Sequence, residues 1–97
     1  MKVYNMTSNN TGREIANQFI IEDGKGNILF QSYQTTIAMI DNRRNVILDY
    51  KAENYSRTTS KYLYRFLYEN GFSIHDKKSL LQAEKDGRII RAALSEL

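Results

Sequence analysis

Arg57, Lys61, Tyr64, Arg65 and Tyr68 carry the strongest chemical signal in this sequence. The three cations follow one another at i, i+4 spacing, and the tyrosines stand beside them. Guanidinium and ammonium groups attract phosphate whatever the base sequence, and tyrosine rings stack on bases. The same residue types concentrate at protein–protein hot spots, where a rigid ring fills a pocket and arginine supplies directed hydrogen bonds. A plain solvated helix face offers a third reading, with tyrosine rings shielding the aliphatic stems of Lys and Arg. Arg43 and Arg44 form a second and weaker cationic candidate in the turn-rich stretch 41–45. Arginines at loop tips more often serve solubility than recognition.

Reactive chemistry has less to build on. The chain holds one histidine, His75, and no cysteine. A transition-metal site draws on clustered Cys and His, so neither a metal nor a cofactor is expected. His75 as a base would need an oriented partner and a nucleophile. Its neighbour Asp76 is adjacent in sequence only, and no Gly-x-Ser-x-Gly elbow occurs. The stretch DGKGN (23–27) has lysine where a calcium loop needs its second oxygen, and it is too short for a P-loop. Glu22 and Asp23 are adjacent and would point to opposite faces of a strand, so they do not make a carboxylate pair. The chain is therefore read as a non-enzyme.

The helix that would present the cationic face is legible. Ser56, Thr58 and Thr59 offer hydroxyls that can cap the free amides of a first turn. Taking about 100° per residue from Arg57, the positions Thr59, Tyr62, Leu63, Phe66, Leu67 and Asn70 share one arc. Arg57, Lys61, Tyr64, Arg65 and Tyr68 share the opposite side. Gly71 follows as a natural stop. This predicts an amphipathic helix over residues 56–70, with Leu63 and Phe66 buried and with Tyr64 and Tyr68 largely accessible.

Residues 1–54 have the texture of strands and turns. MKVYNMT alternates weakly and suits an edge strand. NQFIIE (17–22), ILFQSY (28–33), TTIAMI (35–40) and VILDY (46–50) are short and rich in β-branched residues. DGKGN and DNRRN separate them as hairpin turns. The pattern predicts an antiparallel meander. The tail from Asp76 is helix-prone, and Leu80, Ala83, Gly87, Ile90, Leu94 and Leu97 fall on one stripe if the helix is continuous. Gly87 is the weak point, because glycine costs about 1 kcal/mol against alanine inside a helix. A short strand from Arg88 is the alternative, and helix is favoured.

Ninety-seven residues make one small domain, 1–97. With 41% hydrophobic and 26% charged residues the chain reads as globular. No apolar run reaches the length of a membrane span, and the first residues lack the apolar segment of a secretory leader, so the cytoplasm is expected. Residues 1–50 balance five cations against five acids, while residues 51–97 carry nine against six, so the net charge of +3 belongs to the second half. That excess suits an anionic partner without requiring one.

With NQFII, FQSYQTTIA, ILDY and YSRTTSKYLYRFL in order, the sequence resembles a little-characterised family of short proteins carried by phages, plasmids and integrative elements of Gram-positive bacteria. The likeness covers roughly residues 17–70. Its most distinctive element is YS-x-TT-x-KY-x-x-x-FL, here Tyr55 to Leu67. The resemblance brings no catalytic residue. It implies a setting in which small proteins, anti-CRISPR proteins among them, disarm host defences. Many inhibitors of nucleic-acid enzymes are acidic phosphate mimics. A chain at +3 with a cationic helix is a poor one, and would instead dock on a nuclease or on its bound nucleic acid.

The expected protein is thus an α+β domain, a small antiparallel β-sheet packed by an amphipathic helix with a helical C-terminal tail. Its expected function is to bind and inhibit a host defence nuclease, alone or as a nucleoprotein complex. The alternative is a small DNA- or RNA-binding accessory or regulatory protein.

Overall fold

The computed structural model describes residues 1–97. Five strands come first: β1 (Lys2–Thr7), β2 (Glu14–Glu22), β3 (Ile28–Ser32), β4 (Thr35–Ile40) and β5 (Val46–Asp49). A 3-10 turn (Ala52–Asn54) leads into α1 (Arg57–Glu69), followed by α2 (Lys77–Lys85), β6 (Ile89–Ala92) and a closing 3-10 turn (Leu94–Glu96). The six strands form one sheet in sequence order. Pairs β1 to β5 are antiparallel and β5–β6 is parallel. The fold is α+β, as the strand and helix texture of the sequence predicts.

Two of the hairpins are built by the same device. Asp23 accepts hydrogen bonds from the amides of Lys25 and Asn27 and from the Asn27 side chain. Asp41 does the same with the amides of Arg43 and Asn45 and the Asn45 side chain. An aspartate that captures the amides two and four residues on closes the loop without help from the rest of the protein. The two tips also meet, the Asn42 amide donating to the Asn27 side chain at 3.1 Å.

Helix α1 begins where Ser56 accepts the Thr59 amide, and ends where Gly71 takes φ 91°. The Phe72 amide reaches the Leu67 carbonyl and the Gly71 amide that of Tyr68, the pair of bonds that seals a helix on a left-handed glycine. Leu63, Phe66 and Leu67 are fully buried, and the Phe66 ring stacks on Phe30 of β3 with centroids 5.7 Å apart.

The tail departs from a continuous helix. Helix α2 stops after nine residues, because Gly87 adopts φ 79° and closes it with the same two bonds, Arg88 amide to Ala83 carbonyl and Gly87 amide to Glu84 carbonyl. The residues beyond then extend. Ile89 pairs with Val46 and Ala92 with Asp49, so the end of the predicted helical stripe is a sheet strand. A parallel neighbour needs a crossover of a dozen or more residues, and the two helices supply it.

Both helices lie on one face of the sheet. Phe30, Ala38, Ile40, Val46, Leu48 and Ile89 meet Leu63, Phe66, Leu67, Leu80 and Ala83 in a single core. No helix is long and apolar enough to cross a membrane.

Candidate functional site

The exposed side of α1 holds fewer free groups than its spacing suggests. Arg65 is mostly covered: its guanidinium donates to the Thr7 carbonyl at the end of β1 and to Glu69 one turn on, at 3.2 Å. Arg44 leaves the hairpin tip to donate to the Asn70 carbonyl, and lies 4.9 Å from the Phe72 ring centroid. Two of the predicted arginines therefore tie the sheet to the C-terminal half of α1. The Arg44 contact lies at the carbonyl end of the helix dipole, where a cation is favoured.

Tyr64 is not the accessible ring the helix phase predicts. It is half-buried and packs against the core. Phe72 and Ile74 turn the chain back, so that His75, Asp76 and Lys77 line a groove with Arg57, Ser60 and Tyr64. Burial, and then the nearby carboxylates of Glu53 and Asp76, push the Tyr64 hydroxyl above its ordinary range.

Exposed and free of side-chain hydrogen bonds to the fold are Arg57, Lys61 and Tyr68 on the helix, with Arg43 at the hairpin tip. Tyr68 is 72% exposed. The Lys61 ammonium lies 5.3 Å from the Tyr62 ring centroid and makes no ion pair. Arg57 makes no ion pair, although Glu53 and Asp76 line the groove it borders. The remaining site is a helix side that carries two unpaired cations, Arg57 and Lys61, in its first half and one free aromatic ring, Tyr68, near its end.

No group of three His, Cys, Asp or Glu side chains gathers to hold a metal. His75 is exposed, its ring reaching only Asp76 at 3.7 Å, and the Asp76 carboxylate is already the cap of α2.

The structure also explains the YS-x-TT element. The Tyr55 hydroxyl donates to the buried Asp49 carboxylate at 2.8 Å. Ser56 caps α1, and the buried Thr59 hydroxyl meets Ser32 of β3 at 2.9 Å. The other Asp49 oxygen accepts the Ser95 amide at 2.8 Å, anchoring the closing turn. Burial pushes the Asp49 carboxyl up, but these donors outweigh it and hold it below the ordinary range. Tyr55, Ser56 and Thr59 of the element are thus joints of the fold, and Phe66 and Leu67 are core, while its Thr58 and Lys61 stay exposed.

Sequence reasoning missed a second built feature. Arg91 of β6 donates through both terminal nitrogens to Glu53 at 2.8 and 2.9 Å, and through Nε and one terminal nitrogen to Glu84. Its charge is held on far more firmly than an ordinary guanidinium's, first by Glu53 and then by Glu84. No local signal joins positions 53, 84 and 91, because the pairing exists only once β6 is in the sheet.

No curated protein and no solved structure matches the chain. Residues 1–82, from β1 into α2, match a family of unknown function, and the chain belongs to that family, DUF8033.

Proposed function

We propose that the protein is a non-enzymatic binding protein of a mobile element, acting in the cytoplasm by docking on a host defence nuclease of the CRISPR effector kind. The observation that carries this reading is the state of the α1 face. Tyr68 stands in solvent on the same side of the helix as the unpaired Lys61 and Arg57, two and three turns before it, while Arg65 and Arg44 are already bonded to backbone carbonyls of the fold. Removing two arginines weakens a phosphate-tracking surface more than it weakens an aromatic anchor. A protein hot spot draws its energy from a few buried rings and directed donors.

The test is DNA cleavage by a guide-loaded CRISPR effector nuclease, with the protein titrated in. The Lys61→Glu, Tyr68→Ala double variant is expected to lose inhibition and binding while melting as the original does, since both side chains lie off the core. Salt separates the two partner classes. Phosphate contacts by Arg43, Arg57 and Lys61 would make log affinity fall with log salt at a slope of about −2 to −3. The expected dependence is shallower. A double variant that inhibits as well as the original contradicts the reading, and a steep slope on plain duplex DNA favours the nucleic-acid alternative.

A further inference from the structure

Tyr33 is held in a strained backbone conformation that nothing inside the fold explains. Three residues other than glycine take a positive φ: Asn17, Tyr33 and Arg44. Asparagine tolerates it, and the Arg44 side chain is spent on the Asn70 carbonyl. Tyr33, at φ 57°, opens the two-residue turn between β3 and β4, where a first position of positive φ ordinarily takes glycine. Its amide donates to the Asn17 carbonyl at 2.6 Å and its carbonyl accepts from the Gln31 side chain at 2.8 Å, so the turn is clamped from both sides. The ring itself is 53% exposed and makes no hydrogen bond to the fold. Strained backbone of this kind gathers at ligand clamps and other functional sites.

Tyr33 borders a cleft of about 360 Å³, lined also by Ser32 and Thr35 of the same hairpin and by Tyr55, Ser56 and Thr59 at the start of α1. No acid or cation lines it. Tyr55 supplies a second ring, fixed because its hydroxyl is bonded to Asp49. The floor is short of a partner. Ser56 spends its hydroxyl proton on Thr59, and the bond between Thr59 and Ser32 takes one more. Each hydroxyl brings one proton, so one proton on the Thr59 and Ser32 pair has no acceptor in the fold. Both residues are only 3% exposed. Gln18, directly opposite Ser32 and on the same face, keeps a buried side-chain oxygen with no donor. Buried polar groups are ordinarily paired. Just beyond Ser56, the amides of Arg57 and Thr58, the first two of α1, have no acceptor either, and Arg57 is unpaired.

We propose that this cleft takes one unpaired nucleotide of a single strand, its base against Tyr33 and Tyr55 and its phosphate over the first turn of α1. Tyrosine rings stack on any base, whereas a base inside a duplex is already stacked and cannot enter. The spare proton of the Thr59 and Ser32 pair meets a base carbonyl, an acceptor that thymine carries. The free amides, the positive end of the helix and Arg57 meet the phosphate. Charge decides between ring-bearing ligands. A proline or aromatic residue of a peptide would use the two rings and leave the amides and Arg57 without a partner. The neighbouring acids do not oppose a phosphate, since Asp49 is held by Tyr55 and Ser95 and Glu53 by Arg91. The proposal does not depend on what Lys61 and Tyr68 bind.

The test is heteronuclear NMR of the full chain titrated with a short oligothymidylate, beside a blunt duplex and a proline-rich peptide. The oligothymidylate is expected to shift the amides of residues 32–37 and 55–59, which line the cleft, and the duplex and the peptide are not. Tyr33→Gly should weaken oligothymidylate binding about tenfold or more, because a stacked ring is lost. The same change should raise the melting temperature by a few degrees, because glycine takes this φ without strain. A tyrosine of purely structural use would not give that pair of results. Tyr33→Phe keeps the ring and should bind like the original. If Tyr33→Gly fails to fold, the shifts on the original chain decide. Absent shifts, shifts along Lys61 to Tyr68 in place of the cleft, cleft shifts from the peptide in preference to the oligothymidylate, or a Tyr33→Gly protein that binds as tightly overturns the proposal. None of these measurements uses a nuclease, so a failed inhibition assay counts against the α1 reading alone.

Discussion

Replacing Phe66 by alanine is expected to destabilise the protein by about 3–5 kcal/mol. The ring is fully buried, stacks on Phe30 and sits between Leu63 and Leu67 on the face that joins α1 to the sheet. Its loss removes apolar contact on both layers and leaves a cavity that a rigid sheet cannot collapse into. A domain of this size holds about 5–15 kcal/mol in total, so the change consumes a large part of the stability. Denaturant unfolding should show the midpoint moving far down with the slope kept. An unchanged midpoint would mean that α1 does not pack by this arc.

Arg91→Ala is the second large effect. Glu53 is nearly buried and Arg91 is its bidentate partner, so removing the guanidinium strands a charge out of water. Breaking such a pair costs about 3–5 kcal/mol, and the partial exposure of Glu84 places this case near the lower end. Arg91→Lys should recover only part, because an ammonium cannot reproduce the planar fork that reaches both carboxylates.

The pH dependence follows from the same cluster. Burial pushes Glu53 up, but hydrogen bonds from Arg91 outweigh it and hold the carboxyl below its ordinary 4.5. Glu84 is held below 4.5 chiefly by its own Arg91 hydrogen bond. A carboxyl with a depressed folded pKa stabilises the fold above its unfolded value and loses that contribution as pH falls through the folded one. The original should hold its stability above about pH 4.5 and lose it in more acid solution. In Arg91→Ala the stranded Glu53 prefers its proton, so the gap between the two proteins should narrow on acidification. A gap constant from neutral pH to about pH 4 would show that the triad contributes nothing through charge.

The parts of this fold legible in sequence are those specified locally. Asp23 with Asn27 and Asp41 with Asn45 close their own turns, and the Ser56 cap, the α1 arc and Gly71 all lie within one helix length. The tail was less legible because Gly87 serves either a tolerated helix position or a terminator. The choice for terminator is made by β5, which offers Ile89 to Ala92 a strand edge some forty residues away in the chain. The candidate face was read correctly as a helix side and incompletely as a set of free groups. Arg65 and Arg44 are bound by backbone carbonyls of Thr7 and Asn70, acceptors that every residue carries and no sequence pattern marks. Tyr64 is covered by the return of the chain at His75 to Lys77, which depends on how α2 docks.

The central claim is that the exposed face of α1 grips a protein. Its most direct measurement is capture from a host lysate on immobilised protein, with and without prior nuclease digestion, beside the Lys61→Glu, Tyr68→Ala variant. The account predicts a protein partner that survives digestion and is a defence nuclease, retained by the original and absent from the variant. Partners that all vanish after digestion, or one that the variant retains equally, would contradict it.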